Sequence, residues 1–195
     1  MKAQFDGKKK SALREWVESI VIAFMLAMVI RAFVVQAFKI PTGSMRTTLI
    51  EGDIILVNKF IYGAKVPFTN WNLPALRDPK RGDIVVFIYP ENPKKDFIKR
   101  LVAVEGEAVE IKNGTIYINA KPLDEPLFSK RYYYNRGGFA KEGQKLVVPK
   151  DSFFVLGDNS ISSQDSRYWG FVPRKNILGK AMLIYWPPQR IRLLQ

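Results

Sequence analysis

Two residue types that usually carry enzymatic proton transfer are missing: the chain has no histidine and no cysteine. The first absence excludes a Ser-His-Asp relay. The second excludes a thiol nucleophile and any disulfide, so folding does not depend on the redox state of the compartment. Together they remove the usual zinc ligands, and no metal or cofactor is expected. Acidic residues are few beside basic ones, 18 against 31, which leaves a formal charge of +13. Such a balance points to an anionic partner, either nucleic acid or a lipid surface. No zinc finger or other nucleic-acid motif accompanies it, so nucleic acid is not expected as a partner. A second long apolar run is lacking as well, and so is a convincing amphipathic helix beyond the N-terminal segment.

That N-terminal segment is what favours lipid. Residues 1–15 are polar and basic, with Lys2, Lys8, Lys9, Lys10 and Arg14. Residues 16–38 are mostly apolar, interrupted by Glu18, Ser19, Arg31 and Gln36, and residues 20–30 carry no charge. About 20 predominantly apolar residues suffice to span a bilayer. The pattern predicts a transmembrane anchor over 16–38 in an anionic phospholipid membrane, with the basic tail in the cytoplasm and residues 39–195 outside. A cleaved signal peptide would show the same two regions. Arg31 stands where its small-x-small cleavage site would be, which favours an uncleaved anchor.

Beyond residue 39 the chain reads as short strands. With 47% hydrophobic and 13% aromatic residues it can fill a core. Strands are expected at 54–57 after the turn Glu51-Gly52-Asp53, at 84–89 after Arg81-Gly82-Asp83, and at 97–104, 108–111, 115–118, 152–156 and 181–186. Asn113-Gly114 is a hairpin signal. Residues 63–82 form a loop rich in Pro, Asn and Trp, and 120–145 a polar stretch with Tyr132-Tyr133-Tyr134, read as a long loop or inserted lobe. The fold class is mainly β: an antiparallel sheet core with a smaller inserted lobe, preceded by one transmembrane helix.

Ile40-Pro41-Thr42-Gly43-Ser44-Met45 follows the apolar run directly. Pro41 holds the chain extended and Gly43 lets it turn, a setting that can present Ser44 as a nucleophile. A serine hydroxyl needs a base, and with histidine absent the remaining choice is lysine. Lys99 lies within an expected strand, on the same face as Phe97 and Leu101. Apolar neighbours would lower its pKa and leave it neutral. Periodicity alone does not separate it from Arg100, which has Ile98 and Val102 beside it, but a guanidinium stays protonated and cannot take the serine proton. A third stretch, from Gly157-Asp158-Asn159 to Arg167-Tyr168-Trp169-Gly170, is dense in small polar groups. In it Asp165 and Arg167 can pair, and Ser163 can meet a lysine amine.

These motifs, in this order along the chain, resemble the motif set of bacterial type I signal peptidases, membrane-anchored Ser/Lys endopeptidases. The resemblance implies that Ser44 is the nucleophile and Lys99 the general base. It implies an oxyanion hole made by the Ser44 N–H and the Thr42 hydroxyl, with Ser163 orienting the lysine and Asp165 and Arg167 bracing the site. It implies a catalytic domain on the extracytoplasmic face and an inserted lobe at about 112–148. It also implies preprotein signal peptides as substrates, with small residues at −1 and −3 held by Phe38, Ile40, Pro41, Met45, Leu49, Ile55, Asp96, Phe97 and Ile98. A specialised processing peptidase of a conjugation or pilus system, or a membrane-anchored scaffold without activity, are the alternatives. Two departures stand out: Thr47 occupies a position where the family usually has proline, and Ser160-Ile161-Ser162 lacks the charged pair often found there.

Overall fold

A computed structural model describes residues 11–63, 71 and 73–194. Lys2 and the Lys8-Lys9-Lys10 cluster of the expected cytoplasmic tail lie outside the described residues, as do 64–70 and 72 of the Pro- and Asn-rich loop. The chain begins with helix α1, Ala12–Val29, capped by the Ser11 side chain, which accepts from the Arg14 N–H. A π-helical turn, Ile30–Val34, continues it. The apolar side chains of α1 are exposed on every side: Trp16, Ile20, Val21, Ile22, Phe24, Met25, Leu26 and Met28 are all at least half exposed. Among the described residues no helix is long and apolar enough to cross a membrane. Arg14, Glu15 and Glu18 occupy its first two turns, and the uncharged residues 19–30 cover only about 18 Å at about 1.5 Å per residue.

The chain then turns into strand at once. β1 is Val35–Lys39, so the last four residues of the expected anchor, 35–38, belong instead to the sheet. The reason is pairing: β1 lies antiparallel to β2, Ile54–Asn58, with Phe38 opposite Ile55. Next come β3 (Ile84–Ile88), β4 (Asp96–Ala103), β5 (Ala108–Lys112), β6 (Thr115–Ile118) and β7 (Lys121–Pro122). Helix α2 (Pro126–Ser129) and β8 (Leu146–Val147) follow, then β9 (Ser152–Leu156), helix α3 (Ser166–Trp169), β10 (Val172–Pro173), β11 (Ile177–Trp186) and β12 (Arg192–Leu193).

The strands make an eight-stranded sheet in the order β1-β2-β11-β3-β4-β9-β10, with β12 on β11, and a four-stranded sheet in the order β7-β6-β5-β8. All the pairings are antiparallel. The small sheet, β5 to β8, lies in sequence between β4 and β9 of the large one, and it starts ahead of the 112 expected for an inserted lobe. Its hairpin forms where Asn113-Gly114 stands, with φ of 49° and 76° at the two residues, as a two-residue primed turn requires.

β4 belongs to the large sheet and contributes side chains to the cores of both units. Its end, Val102 and Ala103, packs with Val109, Ile111, Ile116 and Phe128 of the lobe. Leu101 packs on the other face with Val85, Phe87, Val155 and Trp169. A further cluster, Ile40, Met45, Leu49, Ile55, Val57, Ile84 and Ile184, lies beneath the turn that carries Ser44. Because β4 is inside, a lysine in its middle is enclosed by packed side chains rather than by water.

Candidate active site

Ser44 sits in a short 3-10 turn, Gly43–Met45, entered from extended Thr42 (φ −136°). Met45, fully buried, anchors the turn in the core below. Beyond it Thr48 N–H donates to Met45 O at 3.0 Å and Leu49 N–H at 2.8 Å. Between them Thr47 has φ of 83°. That is a left-handed conformation costly for a β-branched residue, and one that proline, fixed near −65°, cannot adopt. Proline at position 47 would therefore require another path of this loop.

Lys99 reaches Ser44 from the neighbouring strand. Its Nζ donates to Ser44 Oγ at 2.8 Å and to Ile98 O at 2.9 Å. Phe97, its neighbour on the same face, places its ring centroid 5.3 Å from Nζ. Lys99 is only 3% exposed and Ser44 8%. Burial pulls the Lys99 amine down from 10.5 to about 8, against the opposing pull of Asp165 and Asp158, while Arg167 adds to the lowering. At that value a useful fraction is neutral at ordinary pH, which a base must be. Arg100 points elsewhere: its fork grips Asp158 through Nε–Oδ1 at 2.8 Å and Nη2–Oδ2 at 2.7 Å.

The stretch from Gly157 to Arg167 closes the site from the other side. Asn159 N–H donates to Ser44 O and its side-chain amide to Gly43 O, both at 3.0 Å. Asp165 and Arg167 are completely buried and paired at 2.8 Å. Asp165 also accepts from Gly157 N–H at 3.0 Å, and Arg167 donates to Ser160 Oγ, Ser160 O and Tyr134 O. Gly157 has no room for a side chain: a Cβ there would overlap Ser163 Oγ and come within 2.5 Å of Ser44 O. Ser163 is buried beside it, but its Oγ has no hydrogen-bond partner. The expected contact to Lys99 is therefore not made.

A cleft of about 310 Å³ opens over Ser44 and Lys99, lined by Pro41, Thr42, Ser44, Asp96, Phe97, Ile98, Lys99, Ser162 and Gln164. Of the expected substrate-binding residues, Pro41, Asp96, Phe97 and Ile98 are on its wall. Ile40, Met45, Leu49 and Ile55 are not; they are buried in the core below, and Phe38 packs against that same cluster. Tyr89 stacks on Phe97 at 4.4 Å and Trp169 meets it edge-on at 5.5 Å, fixing that wall. Sequence reasoning missed Ser162 and Gln164 in the cleft, although both belong to the polar stretch it had singled out. It also missed what Asp158 and Asn159 hold, for which no local signal exists.

This arrangement pairs a buried hydroxyl with an amine of lowered pKa at the floor of an open cleft, which suits acyl transfer from an extended peptide. The family described as "Signal peptidase, peptidase S26" matches residues 13–186. The chain is 39% identical to a "Probable signal peptidase I-2" of Synechocystis sp., over 96% of this chain and 82% of that one. It is 38% identical to a "Signal peptidase I" of Leptolyngbya laminosa, over 97% and 87%. A "Signal peptidase I" of Pseudomonas aeruginosa is 33% identical, over 94% and 76%.

Proposed function

Since the chain belongs to the signal peptidase family, peptidase S26, we propose that Ser44 and Lys99 are the dyad with which it works. The protein is a serine endopeptidase that cleaves signal peptides from preproteins. The observation that carries the assignment of residues is the 2.8 Å contact between Lys99 Nζ and Ser44 Oγ in a buried site, in a chain without histidine.

In the proposed mechanism neutral Lys99 takes the Ser44 proton as Oγ bonds to the scissile carbonyl carbon. The carbonyl oxygen gains the charge, and the Ser44 N–H and Thr42 hydroxyl stabilise it. Protonated Lys99 then gives its proton to the departing amine, leaving an acyl-enzyme. Water attacks that ester with Lys99 again as base, and Ser44 is restored. The apolar walls at Phe97 and Ile98 suit small side chains at −1 and −3, because a shallow apolar site rejects bulk more readily than polarity. A conjugation or pilus processing role, or a scaffold without activity, has no observation in its favour.

Helix α1 and its π turn are the proposed membrane attachment of a bacterial inner-membrane enzyme. Exposed apolar side chains all round α1 support it, since such a helix is stable in lipid rather than water. From 12 to 34 the rod is about 33 Å long at about 1.5 Å per residue. A single crossing requires Arg14, Glu15, Glu18 and Arg31 to extend to the headgroups. The catalytic domain then lies outside the cytoplasm, and protease added to intact spheroplasts should reach it. Incubating the purified protein in detergent with a preprotein, and weighing the products, tests the function. A single cut after a small residue at −1 is expected; no cut, or cuts scattered through the chain, would overturn it.

A further inference from the structure

The turn that bears Ser44 is also held from the inserted lobe. Arg131 follows α2, and its guanidinium reaches out of the lobe towards the catalytic sheet. Nη2 lies 3.2 Å from Asp158 Oδ2 and 3.2 Å from Thr48 Oγ1, while Nη1 donates to Leu127 O. Asp158 already receives the Arg100 fork and the Thr48 hydroxyl. One buried carboxylate thus gathers a guanidinium from β4, another from the lobe, and a hydroxyl from the loop after the nucleophile. Arg100 by itself meets Thr48 only at 3.4 Å.

Both chains that Arg131 touches position Ser44. Thr48 belongs to the turn closed on Met45 O, and Asp158 immediately precedes Asn159, whose N–H holds Ser44 O at 3.0 Å. Asp158 N–H also faces Met45 Sδ at 3.5 Å. Four more ties join the lobe to the same stretch: Tyr134 N–H to Ser160 Oγ at 2.9 Å, Arg136 to Ile161 O at 2.7 Å, Phe139 N–H to Arg167 O at 2.9 Å, and Arg167 to Tyr134 O at 2.8 Å. Arg131 itself does not line the cleft. An exposed ion pair would matter little, but here the Asp158 side chain is 1% exposed and that of Arg131 18%.

We propose that Arg131 is a positioning residue, a clamp from the lobe that fixes Asp158 and Thr48 and through them the distance between Ser44 and Lys99. The proposal rests on the Ser44–Lys99 reading. It gives the lobe a part in turnover although no lobe side chain reaches the cleft. The charged groups that face Lys99 are Asp158, Asp165 and Arg167, and behind Asp158 stand Arg100 and Arg131. Removing Arg131 leaves the Asp158 charge less compensated, which favours protonated Lys99.

The test uses the full chain in detergent with a preprotein substrate, and compares the parent with Arg131→Met, Arg131→Lys and Thr48→Val for kcat, KM, the pH profile of kcat/KM, and Tm. Arg131→Met should lower kcat about tenfold, as a small misplacement of reacting groups does, with KM nearly unchanged, and should move the acid limb to higher pH. Arg131→Lys keeps a cation and should return the limb to the parental pH while recovering only part of kcat. Thr48→Val should lower kcat with the limb unmoved. A folded Arg131→Met with parental kcat and limb, whatever its Tm, overturns the clamp. If that variant does not fold, parental kcat in both Arg131→Lys and Thr48→Val overturns it equally. A parent without an acid limb, or an active Ser44→Ala, removes the dyad reading instead.

Discussion

Lys99 Nζ and Ser44 Oγ meet at 2.8 Å across 55 positions of sequence, with the lysine almost wholly buried in the middle of β4. That burial has a cost. In the unfolded chain the amine titrates near 10.5, and in the folded one near 8. The folded state therefore disfavours the proton. Its penalty is complete below pH 8 and is relieved as pH rises from about 8 to about 10.5, because over that window only the unfolded chain binds the proton. At about 1.4 kcal/mol per pH unit it amounts to about 3 kcal/mol. Lys99→Met should thus be inactive yet melt several degrees higher than the parent near pH 6, with the advantage shrinking above pH 8. Thermal melts at both pH values check it; a lower Tm at pH 6 would contradict the burial argument.

Thr42 lines the cleft with Ser44. Thr42→Val keeps its shape and removes the hydroxyl. If that hydroxyl stabilises the oxyanion, kcat should fall about 10²–10³-fold with KM nearly unchanged, the loss typical of one such donor. Steady-state kinetics on a preprotein decides it, and parental turnover would remove Thr42 from the mechanism.

Thr47 carries a backbone angle, φ 83°, that suits glycine and forbids proline. Thr47→Gly should stabilise the protein by about 1 kcal/mol through relief of strain. Thr47→Pro, although it supplies the residue the family usually has there, should destabilise it and cut turnover, since the Ser44 turn would have to rearrange. Denaturant unfolding of the two variants separates them: a Thr47→Pro protein as stable and as active as the parent would show that the loop adopts another path.

Much of this could be read from the chain. Alternating or continuous β-branched residues marked the strands at 54–57, 84–89 and 152–156 almost to the residue, and Asn113-Gly114 marked its hairpin. Ser44 and Lys99 stood out because no histidine or cysteine competed with them, the family resemblance gave them their roles, and the structure brings their side chains to 2.8 Å. Where the reading failed, the reason is physical. Val35-Gln36-Ala37-Phe38 continues an apolar run, and only pairing with β2 separates strand from helix. Ile40, Met45, Leu49 and Ile55 are apolar whether they line a pocket or fill a core, so side-chain type does not distinguish the two. The partners of Asp158 come from 58 residues upstream at Arg100, and from 27 residues upstream at Arg131, within a polar stretch that has no periodicity.

The measurement that bears most directly on the Ser/Lys dyad is preprotein turnover by Lys99→Arg, compared with Ser44→Ala and the double variant. An arginine keeps the positive charge but stays protonated, so it cannot take the Ser44 proton. Lys99→Arg should lose at least the roughly 10²–10⁴-fold expected for a missing general base. It should be about as inactive as Ser44→Ala, and the double variant should be no worse than either single one, because the two residues act as a unit. Retention of more than about a tenth of parental turnover by Lys99→Arg, far above that loss, would show that Lys99 is not the base.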